Sequence, residues 1–172
     1  MKPVSHPVMR PQDIVIILKI HLLKETEWKQ VPLARSLHLS QSEVSESIAR
    51  STYARLLWDN GKRVQKELFI NFIEHGLPYA FPQRPGHVTR GFPTAHSAPP
   101  LSQEFTSEEK YVWPSAKGTT RGQSILPLYP KVVLAIQHDP ALYELLALID
   151  AVRVGKAREK NLAIQLLKKR LR

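Results

Sequence analysis

VPLARSLHLSQSEVSESIARS, residues 31–51, decides how the N-terminal part of this chain is read. Two helices that meet at a steep angle need a small residue where their backbones approach, and Ala34 sits in the first. They also need apolar side chains aimed into a common core. Leu33, Leu37, Leu39, Val44 and Ile48 supply these at suitable spacings. The second helix has a clean start: Ser40 is a good N-cap, and Glu43 three residues later completes a capping box. The spacing therefore predicts helices over 31–37 and 41–57. It leaves Gln41, Ser42, Ser45, Glu46 and Arg50 as the outward side of the second helix.

The flanks extend the pattern. Upstream, Pro11 and Asp13 open a helix on which Ile14, Ile17, Leu18, His21 and Leu22 recur at helical spacing. Downstream, WDNG at 58–61 contains Asn-Gly, a strong tight-turn signal. Residues 56–57 and 62–64 would be the short arms of a hairpin around it. Helical spacing returns over 64–75, with Leu68, Phe69, Phe72 and Ile73 on one face and Gly76 placed as a C-terminal cap.

The run Leu33-Ala34, Leu37, Leu39-Ser40 and Glu43-Val44-Ser45 resembles bacterial helix-turn-helix regulators. With the Asp-Asn-Gly hairpin, the likeness is to the winged-helix type that includes the MarR group. It covers roughly the first 75 residues. Two features depart from the pattern: His38 stands at a turn position that is often glycine, and the wing is very short. The resemblance implies a sequence-specific transcription regulator that binds double-stranded DNA, is cytoplasmic and acts as a homodimer. In that role the polar side of the second helix would enter a major groove. Gln41 would pair with adenine, Arg50 would meet guanine or phosphate, and Glu46 would accept from cytosine. Ser42 and Ser45 complete that face, and Lys62 and Arg63 would meet phosphates or the minor groove. The competing expectation is a helical hairpin without a nucleic-acid partner, in a protein-interaction or antitoxin-like adaptor subunit whose middle segment binds a partner protein.

A second pattern lies in the middle of the chain. YAFPQRPGHVTRG (79–91) and YVWPSAKGTTRG (111–122) both fit Tyr-x-(Phe/Trp)-Pro-x-x-x-Gly, followed after one or two residues by Thr-Arg-Gly. Tyr79, Phe81, Tyr111 and Trp113 alternate as strand residues do, and Gly86 and Gly118 would supply turns. Each copy thus reads as a small β-hairpin, two of which would pack about a local twofold with the aromatics as shared core. Arg90 and Arg121, in equivalent places, are either structural ties or a pair of anion clamps. As clamps they would face a small anionic or nucleotide-like effector in a pocket between the hairpins, with Trp113 or Phe81 as its stacking surface. A partner protein on the same extended segment is the other option. The whole chain also resembles a set of bacterial winged-helix proteins through the stretches 75–82, 89–101 and 112–122. That likeness implies no ligand.

Nine of the 14 prolines and four of the seven glycines lie between 77 and 130, so helices are expected on either side of that segment. After it, Asp139 suits an N-cap, Pro140 a first helical position and Gly155 a stop. A last helix over 156–171 carries Leu162, Ala163, Leu166 and Leu167 on one side and basic residues on the other. The organisation expected is a winged helix-turn-helix over 11–75, a Pro/Gly-rich repeat over 76–130 and a helical segment over 131–172. The fold class is mainly α with a small β element, α+β.

Net charge is +10, which favours polyanionic partners. It is spread as +3 over 1–76, +2 over 77–130 and +5 over 131–172, so the excess lies outside the presumed reading head. The terminal KKRLR therefore raises RNA binding through the last helix as a further alternative. Cysteine is absent, which removes thiolate chemistry and disulfides. The apolar run IVIILKIHLL is too short to span a bilayer. His96 and Ser97 are adjacent, but neighbours on an extended strand point to opposite faces and no Gly-x-Ser-x-Gly elbow surrounds them. No enzyme, cofactor or metal site is expected.

Overall fold

Helix α1 (Pro11–Leu22) begins where Arg10 N–H donates to the Asp13 carboxylate (2.8 Å) and proline takes the first helical position. In the computed structural model, which describes residues 5–24 and 27–172, Ile14 to Leu18 of this helix are all fully buried. The chain separates into two compact units, Met1–Gln65 and Lys66–Arg172. The boundary falls inside the expected 11–75 module.

The first unit adds α2 (Gln30–Ser36), α3 (Gln41–Tyr53) and two short strands, β1 (Leu57–Trp58) and β2 (Arg63–Val64). The strands pair antiparallel, Leu57 opposite Val64 and Trp58 opposite Arg63. Between them Asp59, Asn60 and Gly61 all take positive φ (53°, 55° and 79°), the left-handed turn that Asn-Gly anticipates. Helices α2 and α3 both end in a Schellman motif built without glycine. After α2, His38 takes φ 55° while Leu39 N–H returns to Ala34 O (2.9 Å). After α3, Arg55 takes φ 63° while Leu56 N–H returns to Ser51 O (2.9 Å). The second motif stops α3 at Tyr53 rather than at 57. It swings Leu56 and Leu57 inward, where both are buried.

The second unit contains α4 (Lys66–His75), α5 (Leu77–Ala80), β3 (Val88–Pro93), β4 (Tyr111–Pro114), β5 (Thr120–Ser124), α6 (Val132–Ala135), α7 (Pro140–Val154) and α8 (Ala157–Leu171). Single 3₁₀ turns lie at Ala95–Ser97 and Leu101–Gln103. Asp139 caps α7, accepting from Leu142 N–H (3.0 Å). Helix α7 is buried along most of its length, packing on α8, which in turn packs on α4. On α4 the buried face is Phe69, Ile70 and Ile73. Leu68, expected inside, is 47% exposed.

The two-hairpin reading of the repeat is overturned. Tyr79 lies in α5 and is 81% exposed, because Leu77-Pro78 opens a helical turn there instead of a strand. Strands β4 and β5 run parallel, Tyr111 beside Gln123 and Val112 beside Ser124, so the second copy is not a hairpin either. The strand that joins them is β3, which pairs antiparallel with both. The backbones pass too close for side chains at three points. A Cβ on Gly91 would strike Trp113 O, one on Gly118 would strike Gly91, and one on Gly122 would strike Lys110 O. The repeat does contain a local twofold, at a smaller scale. Thr89-Arg90-Gly91 lies antiparallel against Thr120-Arg121-Gly122, centred on Arg90 opposite Arg121.

The protein is thus α+β, with eight α-helices and two small sets of paired strands among the described residues. None of those helices is long and apolar enough to cross a membrane.

Candidate nucleic-acid interface

Helix α3 shows the capping box read from the sequence. Ser40 Oγ accepts from Glu43 N–H (3.1 Å), and the Glu43 carboxylate accepts from Ser40 N–H (2.8 Å). Val44, Ser47, Ile48 and Ser51 face inward and are buried. Gln41, Ser42, Ser45 and Glu46 are exposed. The polar face therefore exists as four of the five residues expected on it.

Arg50 is the fifth, and it is engaged elsewhere. Its guanidinium forks onto Asp13, Nε to Oδ2 (3.0 Å) and Nη2 to Oδ1 (2.8 Å), with Glu46 at 3.8 Å. Its side chain is 13% exposed and that of Asp13 is fully buried. The Asp13 hydrogen bond holds the guanidinium above its ordinary pKa. Bidentate geometry with a buried carboxylate is a structural tie, so Arg50 is corrected from a base reader to the link between α3 and the start of α1.

The two cations beside the turn are also held in place. Lys62 Nζ donates to Trp28 O (2.9 Å) and sits 4.3 Å over the Trp28 ring, while the Trp28 indole N–H donates to Lys62 O (3.1 Å). This reciprocal latch joins the segment before α2 to the strand turn. Arg63 lies over its cross-strand partner Trp58 (5.5 Å) and pairs with Asp59 (3.4 Å). Lys62 stays exposed and Arg63 half-buried. Sequence reading passed over two exposed aromatics in this unit: Tyr53, 73% exposed at the end of α3, and Trp58, 45% exposed on β1.

In the second unit the proposed stacking surface is corrected. Trp113 is 1% exposed. Its indole N–H donates to Asp150 Oδ2 (2.7 Å), and its ring tilts against Tyr143 (5.6 Å). Phe81 is half-buried against the edge of Phe72 (6.4 Å). Asp150 is the hub that the sequence hid. It also accepts from Thr94 Oγ1 (2.7 Å) and Arg153 Nη1 (2.8 Å), and Arg153 Nε reaches Phe81 O (2.9 Å). Burial pushes the Asp150 carboxyl up, against the three donors that draw it down.

His96 and Ser97 have structural partners. His96 Nε2 bonds Glu109 O (2.8 Å), and Ser97 Oγ accepts from Tyr111 N–H (2.9 Å). The basic last helix is pinned within its own unit: Lys168 to Glu74 (2.6 Å), Arg170 to Glu144 (2.9 Å) and Arg172 to Glu67 (3.0 Å). Arg90 and Arg121 are exposed, directly opposite each other, and make no side-chain hydrogen bond or ion pair among the described residues. Among those residues no group of three or more His, Cys, Asp or Glu could hold a metal ion. Comparison of the chain with protein-family models, with curated proteins and with solved structures finds no match.

Proposed function

We propose that the first unit is a winged helix-turn-helix module of MarR-like type, which reads duplex DNA through α3 in a homodimeric bacterial transcription regulator. One observation carries the reading. The first turns of α3, with a satisfied N-terminus, turn Gln41, Ser42, Ser45 and Glu46 outward while the opposite face is buried. Base edges are read by hydrogen-bonding side chains of this kind at the N-terminal end of such a helix. Lys62 and Arg63 are assigned to phosphates. Their tethers, to Trp28 on one side and to Trp58 and Asp59 on the other, place charge on the turn that follows α3.

The test is selection of sites from a random duplex pool by the full chain near physiological salt. An enriched palindrome, lost in the Gln41→Ala/Ser45→Ala variant, is expected. Arg63→Ala should weaken binding evenly across sequences and lower the salt slope by about 1. Arg50→Ala is unsuitable as the probe, since it breaks the tie to Asp13. No enrichment, or enrichment indifferent to Gln41 and Ser45, overturns the proposal. A protein-docking function is then the better reading, favoured by the exposed Tyr53 and Trp58 and by the acidic balance that Glu43 and Glu46 give α3. The RNA alternative loses support from the pairing of Lys168, Arg170 and Arg172 with carboxylates.

A further inference from the structure

We propose that Arg90 and Arg121 form a two-guanidinium clamp for a phosphate dianion, carried as free phosphate or on a small phosphorylated molecule. The geometry comes from the Thr-Arg-Gly pairing. Arg90 and Arg121 are register partners on antiparallel strands, so their side chains leave the same face of the sheet. Ser124 N–H donates to His87 O (3.0 Å). Counting three positions along the ladder from there puts Arg90 and Arg121 at a pair without mutual backbone hydrogen bonds. Arg90 O accepts instead from Ser115 N–H (3.0 Å). At such pairs the opposing side chains are closest.

Like charges placed directly opposite destabilise a sheet. Neither guanidinium makes a side-chain hydrogen bond or ion pair among the described residues. Glu109 and Glu159 act on Tyr111 and pair with neither arginine. The glycines next to them, Gly91 and Gly122, are buried where the strands cross, and both arginines point the other way, to solvent. Further along the same face, Trp113 and Tyr111 are buried while Val88 is 59% exposed. The sheet face is thus covered at one end and open at the arginines.

Charge decides the ligand. Two unneutralised guanidiniums match a dianion better than a single carboxylate or a phosphodiester, and a phosphomonoester carries about −1.5 to −2 near neutral pH. The planar forks suit its oxygens bidentately. The site lies wholly in the second unit and stands or falls apart from DNA reading by α3.

The test uses the full chain, with Arg90→Gln and Arg121→Gln singly and together. Thermal midpoints and heats of binding are measured with inorganic phosphate at mildly alkaline pH, against sodium chloride and dimethyl phosphate at equal ionic strength. In phosphate-free buffer each variant should melt at or above the wild-type midpoint, because a repulsion has been removed. Phosphate should raise the wild-type midpoint saturably, and each single variant should lose about tenfold or more in affinity. A nucleoside monophosphate that binds more tightly than phosphate supports a phosphorylated small molecule as the source, while equal binding supports free phosphate. A lowered midpoint of the variants without phosphate overturns the proposal, since the arginines then hold the sheet. So does equal binding of dimethyl phosphate, which assigns the site to diester backbones, or a phosphate effect that survives both substitutions.

Discussion

Each unit is tied together by one fully buried aspartate and one arginine, yet the two ties are built differently. Asp13 sits in the first turn of α1, where the helix dipole favours a carboxylate. It takes Arg10 N–H and the fork of Arg50, whose side chain still reaches solvent. Asp150 sits deep in α7 and takes a hydroxyl, an indole N–H and a guanidinium that is itself 5% exposed. The first tie joins two helices. The second joins α7 to Thr94, to β4 through Trp113 and, through Arg153, to the chain at Phe81. A carboxylate at a helix N-terminus, with a partner that reaches solvent, tolerates loss of that partner better than one whose three partners are also buried.

Removing Asp150 should therefore be the most damaging single change. Asp150→Ala strands the Arg153 guanidinium, the Trp113 N–H and the Thr94 hydroxyl, and is expected to lose ~3–5 kcal/mol. Denaturant unfolding of the full chain measures it, and a loss under about 1 kcal/mol would show that the hub is dispensable. Arg50→Ala should lose less, ~1.5–3 kcal/mol, since Asp13 keeps Arg10 N–H and the helix terminus. If Arg50→Ala proves the more damaging, the contrast between the two ties is wrong.

The ties also mark where sequence reasoning stopped. Signals within a few residues were legible: the Ser40–Glu43 box, the Asp139 cap and the Asn-Gly turn all stand in the structure. Arg50 was misjudged because its partner lies 37 residues away, and an exposed arginine and a tied one have the same helical phase. The Schellman ends at His38 and Arg55 carried no glycine to announce them. In the repeat, Thr-Arg-Gly was the informative part and the aromatics were not. The glycines permit strand crossing and the arginines face out, whereas Tyr79 and Tyr111 share a motif but occupy a helix and a strand.

The first unit differs: its described strands, β1 and β2, form a plain antiparallel pair. Gly118→Ala would drive a methyl group into the backbone of Gly91, which cannot yield as a side chain tip can. A loss of ~1–3 kcal/mol is expected, and Arg90 and Arg121 should lose their register. A variant that melts with the wild type, with phosphate affinity intact, would show that the strands can part at that point without consequence.

The smallest effect is the one whose sign changes with pH. Tyr143 packs beside Trp113 and donates its hydroxyl to Pro93 O (2.6 Å), so Tyr143→Phe leaves a carbonyl unpaired and should lose ~1 kcal/mol at neutral pH. Burial pushes the Tyr143 phenol up to about 12, against about 10 for an unfolded tyrosine. The folded chain holds this proton more tightly than the unfolded chain does. Its stabilising contribution is therefore complete below about pH 10 and is lost at ~1.4 kcal/mol per pH unit as pH rises toward the folded value. Phenylalanine has no proton to lose. The wild-type advantage over Tyr143→Phe should accordingly shrink above about pH 10 and reverse before about pH 12. Tyr129, also raised by burial, is present in both proteins and cancels in the difference. Unfolding free energies of the pair across that range decide the matter: a difference that stays constant with pH would place the Tyr143 hydroxyl in water, and with it the end of the Asp150–Trp113 cluster that it covers.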